Sequence, residues 1–183
     1  RYSEDIDLVQ ASPGPIGPLL SAIRRVCDPV LGPPRVRRKT DGVNLGYTMA
    51  SEIPPIQTLR LKIEINSREH FTVFAPADRS FEVRSRWFNG RAHVPTYTLE
   101  ELLATKLREL YQRRKGRDLF DLWYGFTVGR ADPKLVTEAF LEYMRRQGRA
   151  ISAEHLRQNL EAKIAHPGFR NDTRALLRPE IEY

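Results

Sequence analysis

Asp5 and Asp7 stand two residues apart among Ile6, Leu8 and Val9. In an extended strand, side chains alternate faces with a period of two, so both carboxylates project from one face. Carboxylates held that close repel each other unless a cation lies between them. A hard divalent ion bound through oxygen, such as Mg²⁺, is the simplest resolution. Enzymes that transfer nucleotidyl groups use such a pair to hold metal against a triphosphate. A solvated strand end with two surface acids has the same pattern, so Asp-x-Asp alone does not decide between the two.

A third acid lies further along. Leu59, Leu61, Ile63 and Ile65 alternate with Arg60, Lys62, Glu64 and Asn66, which predicts a strand with one apolar and one polar face. If the apolar face packs on helices, the polar face meets water or an active site. Glu64 then sits mid-strand among cationic neighbours that keep it ionised. On a strand beside Asp5 and Asp7 it would complete a metal site and accept the proton of an attacking hydroxyl. An ordinary amphipathic edge strand is the competing reading.

Thr98-Leu99-Glu100-Glu101 is a capping box, with Thr98 at the N-cap and Glu101 at N3. At about 100° per residue, Leu99, Leu102, Leu103 and Leu110 form one core-facing stripe with Lys106 in its middle. A lysine there needs an anion: Asp118, Asp121, Glu64 or a nucleotide phosphate. Alternatively its stem snorkels to the rim. In the following turn, Arg113-Arg114-Lys115-Gly116-Arg117-Asp118, Gly116 is expected to end the helix in a left-handed conformation. Asp118 is expected to cap the next helix, with Asp121 as its N3 acid, and also to orient Lys106 or an arginine.

These residues need elements to position them. The opening strand breaks at Ser12-Pro13-Gly14-Pro15, and a helix follows through Leu19, Leu20, Ile23 and Val26, closing near Pro29 and Gly32. Strands and turns are expected over 35–97. Asp41-Gly42 marks a hairpin, further strands run over His70–Phe74 and Phe81–Trp87, and Asn89-Gly90 is another turn. From Thr98 the pattern is helical. The expected fold is α+β, with an α/β lobe over 1–97 and a helical lobe over 98–183.

At 183 residues the chain can bury one good core or two small lobes. It has no apolar run of about 18 residues, so no membrane span is expected. Cys27 is the single cysteine, which excludes an internal disulfide and a thiolate zinc cluster and suits a reducing cytoplasm. Thirty Lys+Arg against 23 Asp+Glu give a net charge of +7, and the pI is about 9.8. Such an excess points to a polyanionic partner, either nucleic acid or nucleotide. The basic residues cluster at Arg35, Arg37, Arg38 and Lys39, at Arg113, Arg114, Lys115 and Arg117, and at Arg145, Arg146 and Arg149. No aromatic interrupts the first cluster, so phosphate contact is its more natural use than base stacking.

The sequence resembles the AbiEii/AbiGii-type nucleotidyltransferase toxins of bacterial abortive-infection and toxin–antitoxin systems. Arg1-Tyr2-Ser3-Glu4-Asp5-Ile6-Asp7-Leu8 is similar to the second half of their opening motif, Arg-x-Ser-x-Asp-h-Asp-h. Lys62-Ile63-Glu64-Ile65 matches their Lys-h-Glu-h strand. Glu101-Leu102-Leu103-Ala104-Thr105-Lys106 and Arg117-Asp118-Leu119-Phe120-Asp121-Leu122 match their Glu-Leu-x-x-x-Lys and Arg-Asp-h-h-Asp-Leu motifs. The likeness covers most of the chain, and the block over 98–123 is its distinctive part.

The resemblance implies a nucleotidyltransferase-type lobe with a mixed sheet, followed by an all-helical lobe. It also implies NTP-dependent nucleotide transfer, for some members onto the 3′ end of tRNA, with Mg²⁺ or Mn²⁺ as the metal and a cognate antitoxin as partner. Carried onto matching positions, it makes Asp5, Asp7 and Glu64 the metal ligands. These three, with Lys106 and Asp118, would be the catalytic set. Ser3, Lys62, Lys106, Arg113 and Arg117 would bind the nucleotide. The family's Gly-Gly/Ser turn, which cradles the triphosphate, would lie before Arg1, so the chain is expected to be a segment of a longer one. Two other readings keep the fold without the chemistry: a nucleic-acid-binding module, and a regulatory partner whose basic face docks an acidic antitoxin.

Overall fold

The computed structural model describes residues 5–86 and 88–172. The chain is α+β, with six helices, one four-stranded sheet and one two-stranded sheet among the described residues. It divides into two compact units between Phe71 and Thr72.

The first unit contains β1 (Asp5–Val9), α1 (Gly17–Leu31), β2 (Arg35–Arg38), β3 (Gly42–Ala50) and β4 (Thr58–Asn66). The sheet order is β1-β4-β3-β2. It is mixed: β1 runs parallel to β4, while β3 is antiparallel to both β4 and β2. β4 is therefore an interior strand, and the edge-strand reading does not hold. Alternation along β3 and β4 buries Leu45, Tyr47, Ile63 and Ile65 on one face, against Leu19, Leu20, Ile23, Cys27 and Leu31 of α1. Burial of each large apolar side chain there contributes about 1.5–3 kcal/mol. Val26 faces solvent, so the helix stripe passes through Cys27 instead. Gly32, at φ 76°, ends α1 in the left-handed region that a side chain resists.

The second unit contains the β5 (Ala77–Arg84)–β6 (Asn89–Thr96) hairpin and α2 (Leu99–Gln112), α3 (Gly116–Thr127), α4 (Pro133–Arg146), α5 (Ala153–Ile164) and α6 (Pro167–Asn171). Its core gathers Leu103, Leu110, Leu122, Phe140, Met144 and Phe169. The switch from strand to helix falls at Thr98, as the sequence pattern indicates, while the hairpin belongs to the same compact unit as the helices.

Several local expectations change. Asn89 and Gly90 open β6, with Asn89 opposite Arg84, and do not form the turn. The reversal is closed by Ser85, whose backbone N–H and hydroxyl both meet Phe88 O. The strand expected over Phe81–Trp87 begins earlier, at Ala77, and ends at Arg84; Trp87 lies outside the described residues. His70–Phe74 is not a strand. The N–H groups of Val73 and Phe74 donate to the Glu101 carboxylate, at 2.7 and 3.2 Å, in place of a ladder.

Thr98 caps α2 as expected, its Oγ1 accepting from Glu101 N at 3.2 Å. The Glu101 carboxylate, however, is wholly buried and also accepts from the Tyr143 hydroxyl at 2.8 Å. The buried face of α2 accordingly centres on Glu101, Leu103, Ala104 and Leu110, while Leu102 is 41% exposed. Lys106 lies on the flank of that face and not in its middle, with its side chain 31% exposed.

Gly116 opens α3 and does not end α2 in a left-handed conformation; among the described residues, the glycines at positive φ are Gly32 and Gly148. Its role is close approach, because a Cβ at this position would lie 2.1 Å from Phe169 O. Asp118 consequently falls in the first turn of α3, and Lys115 occupies the N-cap without a side-chain bond. Gly116→Ala is expected to destabilise the protein by about 1–3 kcal/mol through forced displacement of α6. An unchanged midpoint in urea would contradict that contact.

Candidate active site

The strand register assembles the acids of the first unit. Asp5 pairs with Lys62 and Asp7 with Glu64 across the parallel β1–β4 ladder. Glu64 lies opposite Asn44 and Lys62 opposite Gly46. Asn44 and Gly46 lie opposite Arg37 and Arg35. Register partners share a face, as do residues two apart. Two rows therefore cross the sheet, Arg37–Asn44–Glu64–Asp7 and Arg35–Gly46–Lys62–Asp5, on the face opposite α1.

Lys62 Nζ stands 3.1 Å from Asp5 Oδ2 and 3.6 Å from Glu64 Oε2. Lys39 Nζ and Asn44 Nδ2 donate to the other oxygen, Glu64 Oε1, at 2.9 and 2.5 Å. Burial pushes the Glu64 pKa up, but the hydrogen bonds from Lys39 and Asn44 and the charge of Lys62 outweigh it, and the net shift is downward. For Lys62, burial acts downward and is outweighed by the bond to Asp5 and the charge of Glu64, so its pKa rises. Both groups are thus held ionised.

Three carboxylates on one face are hard oxygen donors suited to a divalent ion. The Lys62 ammonium already marks the place of a cation between Asp5 and Glu64. Among the described residues, no three Asp, Glu, His or Cys side chains are gathered as a ready metal cage. The residues fit such an ion in donor type and charge, with Asp5 and Glu64 engaged by lysine. Ser3 lies outside the described residues. Lys39 and Asn44 were not foreseen as partners of Glu64. Their polar place on an alternating strand and its hairpin was visible, but the register that brings them to Glu64 was not.

In the second unit, Lys106 Nζ donates to Glu109 Oε2 at 3.0 Å and lies 3.8 Å from Asp121 Oδ2 and 3.9 Å from Asp118 Oδ1. The anions its position required are thus Asp118 and Asp121, joined by Glu109. Asp118 is fully buried, and Arg113 grips it with both arms: Nε to Oδ2 at 2.8 Å and Nη2 to Oδ1 at 2.9 Å. The same Nη2 reaches Glu109 Oε2 at 2.6 Å. The hydrogen bond to Asp118 leads in raising the Arg113 pKa, against the opposing effect of burial. Such a bidentate pair fixes geometry as well as charge. Glu109 could have been found from its spacing, three residues after Lys106 and four before Arg113 on one helix. Arg117 is held through its backbone N–H, which donates to Asp172 Oδ2 at 3.3 Å.

The third basic cluster is partly neutralised locally. Arg145 and Arg146 both bond Glu142, at 2.7 and 2.6 Å, and hold its pKa down to about 2, Arg145 contributing first.

The family described as nucleotidyl transferase AbiEii toxin, type IV TA system, has a model that matches residues 1–182. No curated protein and no solved structure matches the chain. No helix among the described residues is long and apolar enough to cross a membrane.

Proposed function

The chain belongs to the AbiEii family of nucleotidyltransferase toxins of type IV toxin–antitoxin systems, and we propose that it transfers a nucleotide from an NTP to the 3′ end of an RNA such as tRNA. The observation that supports this reading is the placement of Asp5, Asp7 and Glu64 side by side on adjacent parallel strands. Asp5, Asp7 and Glu64 would hold Mg²⁺ or Mn²⁺. Bound there, the ion would offset the triphosphate charge and acidify the acceptor hydroxyl. Arg35, Arg37 and Lys62, on the same sheet face, are suited to the phosphates.

The acceptor hydroxyl attacks the α-phosphorus, the bond to the bridging oxygen breaks, and pyrophosphate leaves with the electron pair. Glu64 is the residue assigned to receive the hydroxyl proton. Its lowered pKa favours the role of anionic ligand over that of strong base. In the helical unit, Lys106 is assigned to phosphate, and Asp118 is a positioning residue acting through Arg113. A cognate antitoxin is the proposed protein partner, and a cytoplasm containing NTP and RNA is the compartment this activity requires.

A second reading, a non-catalytic module that binds nucleic acid or antitoxin, is favoured by the lysines that already engage Asp5 and Glu64. Incubation with labelled NTPs, Mg²⁺ and a tRNA pool separates the two. Transfer predicts label in RNA with pyrophosphate release, both abolished by chelation. RNA binding is also expected to weaken with salt, by roughly 0.7 log units per log unit of salt for each single-strand phosphate contacted. Salt-sensitive RNA binding without incorporation would support the second reading. Neither RNA binding nor incorporation would leave antitoxin docking.

A further inference from the structure

The sheet face that bears the acids carries its own competing cation. Glu64 uses its two oxygens differently: Oε1 is gripped by Lys39 and Asn44, while Oε2 faces Lys62. The same Lys62 ammonium bonds Asp5, its neighbour across the parallel ladder. Lys39 and Asn44 therefore orient the carboxylate from one side, and Lys62 spans the gap between strands. An ammonium lying between two carboxylates and a divalent ion bound by both cannot share that place, since like charges at such range repel strongly. The side chains of Asp5, Lys62 and Glu64 are 43, 41 and 33% exposed, so Lys62 can swing away without leaving a buried charge behind.

We propose that Lys62 is a resident counter-cation, which a divalent ion must displace from Asp5 and Glu64 before the site can work. The proposal rests on the metal-dependent reading above and adds its regulation: arrival of the ion frees an ammonium on the same face for the incoming triphosphate. Lys39 stays in place and keeps Glu64 oriented throughout the exchange.

The test is Mn²⁺ affinity, read from the paramagnetic resonance signal of free Mn²⁺, in the unaltered chain and in Lys62→Met. Removing the occupant is expected to tighten binding about tenfold, as when a binding-competent state of roughly one-tenth population becomes the dominant one. Arg60→Met deletes the same charge at an exposed position two residues away on the same strand. It should change affinity only about two- to threefold, because that charge acts on the site through water and salt and does not occupy it. Equal or weaker Mn²⁺ binding by Lys62→Met, or an equal gain in Arg60→Met, would overturn the proposal.

Should Lys62→Met fail to fold, amine acylation of the unaltered protein decides. Saturating Mg²⁺ should raise modification at Lys62 severalfold and leave exposed Lys134 unchanged, whereas no rise at Lys62 would overturn the exchange. The parent reading fails separately. It falls if the unaltered chain and Lys62→Met both bind no Mn²⁺, or if Asp5→Asn binds it as well as the unaltered chain does.

Discussion

Asp7→Asn is expected to lower nucleotide transfer at least ~100-fold, about 2.7 kcal/mol of transition-state stabilisation, in a protein that remains folded. Asparagine keeps the shape and the strand position but removes the charge that a metal ligand must supply. Asp7 lies directly beside Glu64 in the ladder, so two like charges face each other across adjacent strands. Such a pairing costs stability and serves a site better than a fold. The melting temperature of Asp7→Asn is the control that separates loss of a metal ligand from loss of structure. Transfer within a few-fold of the unaltered protein, measured on folded Asp7→Asn, would remove the metal-site assignment. Loss of both activity and fold would show instead that Asp7 is structural.

The largest expected effect on stability lies at Glu101. Its carboxylate is fully buried and takes three donors: Val73 N–H and the Tyr143 hydroxyl on Oε1, and Phe74 N–H on Oε2. Burial first, then the bond to Glu101, drives the Tyr143 pKa upward, so the phenol remains a donor. Glu101→Ala removes the shared acceptor of all three donors at a fully buried position. An unmade buried hydrogen bond costs about 1–3 kcal/mol, and the shared network should lose about 3–5 kcal/mol in all. A fall in melting temperature of roughly 10 °C or more should accompany it. Glu101→Gln keeps one acceptor oxygen but turns an amide donor toward a donor, so an intermediate loss is expected. Equal stability of Glu101→Ala and the unaltered protein would mean that water satisfies those groups.

Much of the site was legible because it rests on local periodicity. The two-residue spacing places Asp5 and Asp7 on one face, and alternation does the same for Lys62 and Glu64. The Thr98 cap is a local hydrogen bond within one turn and was readable for the same reason. Lys106 drew attention as a cation on an otherwise apolar helix face, and its acids were found where sought, although the buried face proved to be rotated toward Glu101 and Ala104. Two of the misreadings turn on a partner distant in sequence. Glu101 was taken for the second half of a capping box, since its true donors lie at Val73, Phe74 and Tyr143. Gly116 was taken for a helix stop, since the carbonyl that demands a glycine belongs to Phe169.

By itself, then, the amino-acid sequence determined the class of the fold, the polar and apolar faces of its central strand, the basic character of the chain and the identity of the acids able to hold a cation. Those properties follow from backbone period and side-chain chemistry, which act within a few residues. Only the tertiary structure decided that β1 lies parallel beside β4, in the register that sets Asp7 against Glu64 and Lys62 against Asp5. A period of two assigns a side chain to a face but says nothing of which strand lies next to it or at what offset. The apolar face sets the β3–β4 offset, where Ile63 and Ile65 meet Leu45, Tyr47 and α1, while β1 joins through its backbone ladder, which sets Ile6 beside Ile63, Leu8 beside Ile65 and the charged groups on the other face.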